Sequence, residues 1–132
     1  MYRLTLEIPG LPELNPSARL NRWLILQRNR QWTTSVWAAF LEAGRPKPER
    51  PLEKAHIKMT RMSSVVPDHD NLVTSFKYIL DLLQPNDPNG KRAGLLGVIR
   101  DDSPSTITTE YVHEKSLRGK GGIRIEVTEM EP

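Results

Sequence analysis

Four short segments with a two-residue apolar period, one long helical stretch and one compact amphipathic helix predict an α+β fold. The expected form is a single small domain spanning residues 1–132, with about four strands in one mixed sheet covered by two helices. The chain has 132 residues, enough for one modest core and too few for two.

The first strand is expected over residues 2–8, where Leu4, Leu6 and Ile8 alternate with Thr5 and Glu7. It stops at Pro9 and Gly10. After a loop through Pro12 and Pro16, residues 17–43 read as a long helix, with a break expected around residues 28–34. Its arginines Arg19, Arg22, Arg28 and Arg30 are interleaved with Trp23 and Trp32. Such residues grip phosphates and stack on bases, or else they are core tryptophans beside solvated arginines. Residues 45–51, R-P-K-P-E-R-P, read as an extended connector.

The second strand is expected over residues 54–62, with Ala55, Ile57 and Met59 on one side. Two further strands are expected over residues 107–114 and 123–129. Between them K-S-L-R-G-K-G-G, with Arg118 and Lys120, combines cations with glycine flexibility. It suits following a phosphate backbone, or simply turning a hairpin.

Composition narrows the chemistry. With no cysteine, there is no disulfide framework, thiolate zinc site or cysteine nucleophile. No run of about 18 apolar residues and no signal-peptide pattern are present, so the expectation is a cytoplasmic protein with no membrane partner. The 19 Lys and Arg against 16 Asp and Glu leave +3. That balance is only mildly basic, but the acids cluster, which leaves the remaining surface more positive than the total suggests.

The acids cluster first in P-D-H-D-N-L-V-T-S-F-K-Y-I-L-D-L-L, residues 67–83. On a helix over 70–83, Leu72, Val73, Phe76, Ile79, Leu80 and Leu83 form an apolar stripe, and Asp70, Thr74, Lys77 and Asp81 form a separate polar face. Pro67 disfavours helix before it, and either Asp68 or Asp70 can cap the first turn. Asp68, Asp70 and the amide of Asn71 supply the hard oxygens that Mg²⁺ prefers. A third acid is offered by Asp101 and Asp102, after Gly97, Val98 and Ile99. Each motif also has a plain structural explanation, an N-cap for the first and a turn for the second.

In this order the blocks P-D-H-D-N-L, Lys77 with Asp81 four residues on, G-V-I-R-D-D-S, and the ending G-K-G-G-I-R-I-E-V-T-E-M resemble the RusA family of Holliday-junction resolvases. The resemblance runs from about residue 54 to residue 130. It implies a Mg²⁺-dependent endodeoxyribonuclease, with Mn²⁺ as a possible substitute, acting as a homodimer on four-way DNA junctions. It also implies a phage or prophage setting in recombination and repair. The family's metal-binding acids fall on Asp68, Asp70 and Asp102, and its amide falls on Asn71, with Asp101 in support. Where many members carry a lysine four residues after the second acid, this chain has Thr74. Counting back from Asp81 assigns the catalytic lysine to Lys77. Arg28, Arg30, Arg118 and Lys120 are the candidate nucleic-acid contacts. His69, about 100° from Asp70 on the helix, is read as a bystander or a phosphate contact. A non-catalytic or broader-specificity branched nucleic-acid-binding relative is the alternative.

Overall fold

Alternating apolar side chains gather the strands onto one side of a sheet. In the computed structural model, which describes residues 1–10, 22–44, 47–86 and 95–131, β1 (Arg3–Pro9), β2 (Ala55–Ser63), β3 (Ile107–Lys115) and β4 (Gly122–Glu129) form a four-stranded sheet in the order β1-β4-β2-β3. Leu4, Leu6 and Ile8 of β1, Ala55, Ile57 and Met59 of β2, and Ile123, Ile125 and Val127 of β4 are all buried. On β3 only Ile107 is fully buried. Its exposed Glu110, Glu114 and Lys115 protect a sheet edge that would otherwise template pairing with another chain.

The pairing is mixed, as expected. β4 runs antiparallel to both β1 and β2, whereas β2 and β3 are parallel. The segment 116–121 is therefore not a hairpin turn, because β4 lies between β1 and β2 and does not touch β3. That segment instead crosses over the end of β2, held there by the Ser116 N–H donating to Ser63 O at 3.1 Å.

Helices cover the apolar face. The first, α1 (Arg22–Glu42), packs on β1 through a core face made by Trp32, Val36, Ala39 and Phe40. The break expected over 28–34 is absent. The segment contains neither glycine nor proline, and the Thr33 hydroxyl donates to Asn29 O at 2.9 Å without interrupting the helix. Trp32 is a core residue, 3% exposed, so its suggested stacking role does not stand. Residues 17–21 of the expected helix, with Pro12, Pro16 and Arg19, lie outside the described residues, as do Arg45 and residues 87–94 of the second long connection.

The second expected helix is built in two parts, α2 (His69–Ser75) and α3 (Lys77–Leu82), meeting at Phe76. The Ser75 hydroxyl donates to Leu72 O at 2.7 Å, the back-bonding that bends helices. Phe76 closes the turn with its N–H to Val73 O at 3.2 Å. Phe76, at the junction, is fully buried with its ring centroid 6.2 Å from that of Tyr111 on β3. Of the rest of the predicted apolar stripe, Leu72, Ile79, Leu80 and Leu83 are buried and Val73 is half-buried. Leu82 is buried too, because residues 95–99 wrap the end of α3. There Leu82 O accepts from Leu96 N–H at 2.8 Å, and Leu83 O from Val98 N–H at 2.8 Å.

The sheet's other face carries charges. Arg124 reaches Glu7 at 3.2 Å and Glu114 at 3.8 Å, and His56 reaches Glu110 at 3.2 Å. These side chains are partly exposed, so such pairs add little stability.

A close backbone approach sits where β4 begins. A Cβ at Gly122 would stand 2.7 Å from Ile8 O, a backbone atom fixed by the β1–β4 ladder. Gly122→Ala should destabilise the fold by about 1–3 kcal/mol, the usual cost of overpacking. A urea midpoint equal to that of wild type would mean that β1 can move aside.

Candidate metal and nucleic-acid site

Pro67 and the exit of β2 set where the acidic helix begins. Asp68 is its N-cap, with extended backbone (φ −69°, ψ 166°). Its Oδ1 accepts from the Asn71 backbone N–H at 2.8 Å and its Oδ2 from Asn71 Nδ2 at 3.1 Å. The carboxylate thus satisfies a first-turn donor and the Asn71 amide is oriented by it. Of the two capping options, Asp68 is the one used. Asp70, in the first turn, is exposed, and both acids favour the positive end of the helix.

The aspartate pair is organised differently. Asp101 Oδ1 accepts from both the backbone N–H (2.9 Å) and the hydroxyl of Ser103. Arg100 Nε lies 3.4 Å from its Oδ2, and Arg100 also donates to Thr106 Oγ1 at 2.8 Å. The Ser103 hydroxyl first, then the Ser103 backbone N–H, the Thr106 hydroxyl and the Arg100 charge hold the Asp101 carboxyl well below the usual carboxylate range. Asp101 therefore holds the turn that starts β3. Asp102 beside it is exposed.

The two acidic motifs belong to opposite ends of the sheet. β2 and β3 are parallel, with Ala55 opposite Ile107 and Ser63 opposite Lys115. Asp68 follows Ser63, so it lies beyond the far end of β2. Asp102 precedes Ile107 through a tight turn in which the N–H groups of Thr106 and Ile107 both donate to Ser103 O. The helical arm runs back between these ends, with Phe76 level with Tyr111 and Leu83 bonded to Val98 and Ile99. Among the described residues no three carboxylate or imidazole groups come together as a metal-binding group. Asp68 and Asp70 alone fit the usual protein share of a Mg²⁺ site, one or two carboxylates completed by water and substrate phosphate. Asp102, before β3, is not grouped with that pair among the described residues.

Cations gather at the Asp68 end. Because residues 116–121 cross over the end of β2, Arg118 and Lys120, both exposed, share that end of the sheet with Asp68 and Asp70. Lys77 opens α3 and is exposed, as are Asp70 and Thr74, while Asp81 is half-buried. Three of the four residues of the polar face read from the sequence thus point outward, on both sides of Phe76. Arg28 is half-buried and Arg30 exposed on α1. That helix meets α3 through Thr33 Oγ1 and the Tyr78 hydroxyl, 3.0 Å apart. His69 is exposed at the start of α2.

One residue at this end was not singled out in the sequence. His113 Nε2 lies 2.9 Å from Ser63 Oγ and 3.1 Å from Ser63 O. The Ser63 hydroxyl donates to Val65 O at 2.8 Å, so Nε2 must carry the proton and donate. His113 thereby ties β3 to the connector that leads to Asp68. In the sequence it sits in an ordinary polar edge strand, and only the parallel register brings it to Ser63.

Because its folded-state pKa is depressed, Asp101 adds stability that is present above the ordinary carboxylate pKa of about 4 and lost as pH falls through the folded value. Asp101→Asn should therefore melt below wild type at pH 7, with the gap closing as the solution is acidified below about pH 4. A constant gap across that range in thermal melts would show that Asp101 does not hold the turn through its charge.

Neither a family model nor a curated protein matches this chain, so a functional reading rests on this geometry and on the resemblance carried by the motif blocks.

Proposed function

We propose that this protein is a Mg²⁺-dependent, structure-specific endodeoxyribonuclease that nicks four-way DNA junctions as a cytoplasmic homodimer. The observation that carries the reading is the shared end of the sheet: a capped, acid-bearing helix start beside a cation-bearing crossover segment. That combination suits a phosphodiester, which needs its phosphates held and its scissile anion neutralised.

Each residue has a task that follows from its surroundings. Asp68, fixed by Asn71, and Asp70, exposed beside it, present carboxylate oxygens from a rigid helix start. Arg118 and Lys120 would hold backbone phosphates without reading bases. Lys77, on the outward face of the same helical arm, would stabilise the charge that develops on the phosphate or the leaving oxygen. When bound, Mg²⁺, or Mn²⁺ in its place, would neutralise phosphate charge and lower the pKa of an attached water.

In this reading a second copy supplies the third acid. A two-fold axis that sets two sheets head to tail would bring the Asp102 end of one chain to the Asp68 and Asp70 end of the other, twice per dimer. Two equivalent sites would then lie roughly 30 Å apart, the length of a nine-residue strand. A four-way junction has near two-fold symmetry and needs two nicks, which matches that arrangement. The rival reading, a branched-DNA binder that does not cut, draws on Thr74 in place of a lysine and on the described residues, among which no three-acid group is found.

Complementation separates them. Asp70→Asn and Asp102→Asn proteins should each bind junctions and fail to nick. Refolded together, about half of the dimers are mixed and carry one intact site, so nicking should return to about a quarter of wild type. Sites contained within one chain would stay dead in the mixture, which would remove the shared arrangement. Wild type that binds junctions without cutting in Mg²⁺ or Mn²⁺ would favour the non-catalytic reading.

The lysine assignment has its own check. Lys77→Ala should lower single-turnover nicking by on the order of 10² with little change in junction affinity. Nicking at the wild-type rate would leave Lys77 as a solvated helix residue.

A further inference from the structure

The first half of α1 keeps apolar side chains at the surface, from Leu24 and Ile25, a little over one-third exposed, to Leu26 and Trp23. Residues 22–27 are all exposed, with Trp23 at 63% and Leu26 at 51%. At about 100° per residue, the consecutive side chains of Trp23, Leu24, Ile25 and Leu26 point around the whole helix. No single orientation against the chain's own core would bury such a run.

Its charge selects the occupant. Before Glu42 the only charged residues of α1 are Arg22, Arg28 and Arg30, and the first turn holds no acid. A helix start already carries partial positive charge, so these arginines call for an anionic partner. A second copy docked on the same surface would set one group of arginines against another with no acid between them. A membrane surface asks for apolar residues on one face and cations on the other, which a run spread around the helix does not offer. A nucleic acid with unstacked bases satisfies both features, since phosphates pair with arginine and base faces stack on tryptophan.

We propose that the first half of α1 is a prong that enters the open centre of branched DNA. Trp23 stacks on an unpaired base there, and Arg22, Arg28 and Arg30 hold the flanking phosphates. This inference rests on the reading of the chain as a branched-DNA nuclease, and it assigns the surface that tells a branch point from a linear duplex. In a linear duplex the base faces are already stacked and are not offered. The contact of Thr33 with Tyr78 fastens α1 to α3 below the prong.

The test uses full-length wild type, Trp23→Ala and Trp23→Phe at one fixed salt concentration. Each is titrated with a synthetic four-way junction, a linear duplex and phosphatidylserine vesicles, and its oligomeric state is read by light scattering. Trp23→Ala should weaken junction binding by on the order of tenfold while leaving duplex binding unchanged. Trp23→Phe should recover most of the loss. A 2-aminopurine at the branch point should change fluorescence with wild type and not with Trp23→Ala. Unchanged junction binding, an equal loss on duplex, a dimer that dissociates, or a loss confined to vesicles would each overturn the prong. Mg²⁺-dependent nicking in the same samples keeps the two ideas apart. If wild type nicks junctions and Trp23→Ala binds them equally well, only the prong is rejected. A wild type that neither binds nor nicks branched DNA rejects the nuclease reading and the prong together.

Discussion

The parallel pairing of β2 with β3 is the constraint on which the rest of the molecule depends. Parallel neighbours cannot be joined by a tight turn, so the chain must travel back along the sheet before β3 begins. The helical arm formed by α2 and α3 makes that return and, in doing so, buries Leu72, Phe76, Ile79 and Leu80 against the apolar face. The same requirement separates the acids. Whatever starts the arm belongs to the end where β2 stops, and whatever precedes β3 belongs to the other end. A chain with these motifs and an antiparallel β2–β3 pair would have brought them to one margin.

Much of this was legible in the sequence. The alternation of Leu4, Leu6 and Ile8, or of Ile123, Ile125 and Val127, needs no knowledge of partners to be read as strand, because the period follows from the pleat itself. The stripe from Leu72 to Leu83 was equally plain. What could not be read was pairing order, since a strand's sequence does not say which neighbour it will have. Of the two readings of residues 115–122, the hairpin fails because β4 pairs with β1 and β2 and not with β3; the set Asp68, Asp70 and Asp102 came from the order of the motif blocks, which carries no information on strand pairing. The interruption at Phe76 was hidden for a different reason: no glycine or proline marks it, and it coincides with the Ser75 hydroxyl bonding Leu72 O and with the contact of Phe76 on Tyr111. Trp32 illustrates the reverse case. Of the two readings given for it, the core one holds: it is buried with Val36, Ala39 and Phe40.

The crossing of residues 116–121 over β2 links these points. Inserting β4 between β1 and β2 gives the central strand two partners and leaves β3 at the edge. It also drives the basic segment past Ser63, where the connector to Asp68 begins. His113 fastens the same point from the β3 side through Ser63. Cations and acids are thus neighbours at this end because of strand order.

The two acidic motifs share a division of labour that bears on their chemistry. In each, one carboxylate secures the backbone and its near neighbour stays exposed: Asp68 caps α2 while Asp70 projects, and Asp101 holds the turn while Asp102 projects. Two unpaired carboxylates so close together would repel one another and lose order. Giving one of them backbone or hydroxyl donors spreads its charge and fixes the main chain from which the other extends. For Asp68 the roles need not compete, since a carboxylate has about four lone-pair sites and the cap uses one on each oxygen. The helix start can therefore keep its cap while the remaining lone pairs of Asp68 and the whole of Asp70 face an incoming cation or phosphate-bound ion. At the other end Asp101 is committed more completely, with Ser103 and Arg100 around it. Asp102 is the acid of that pair left to meet a partner.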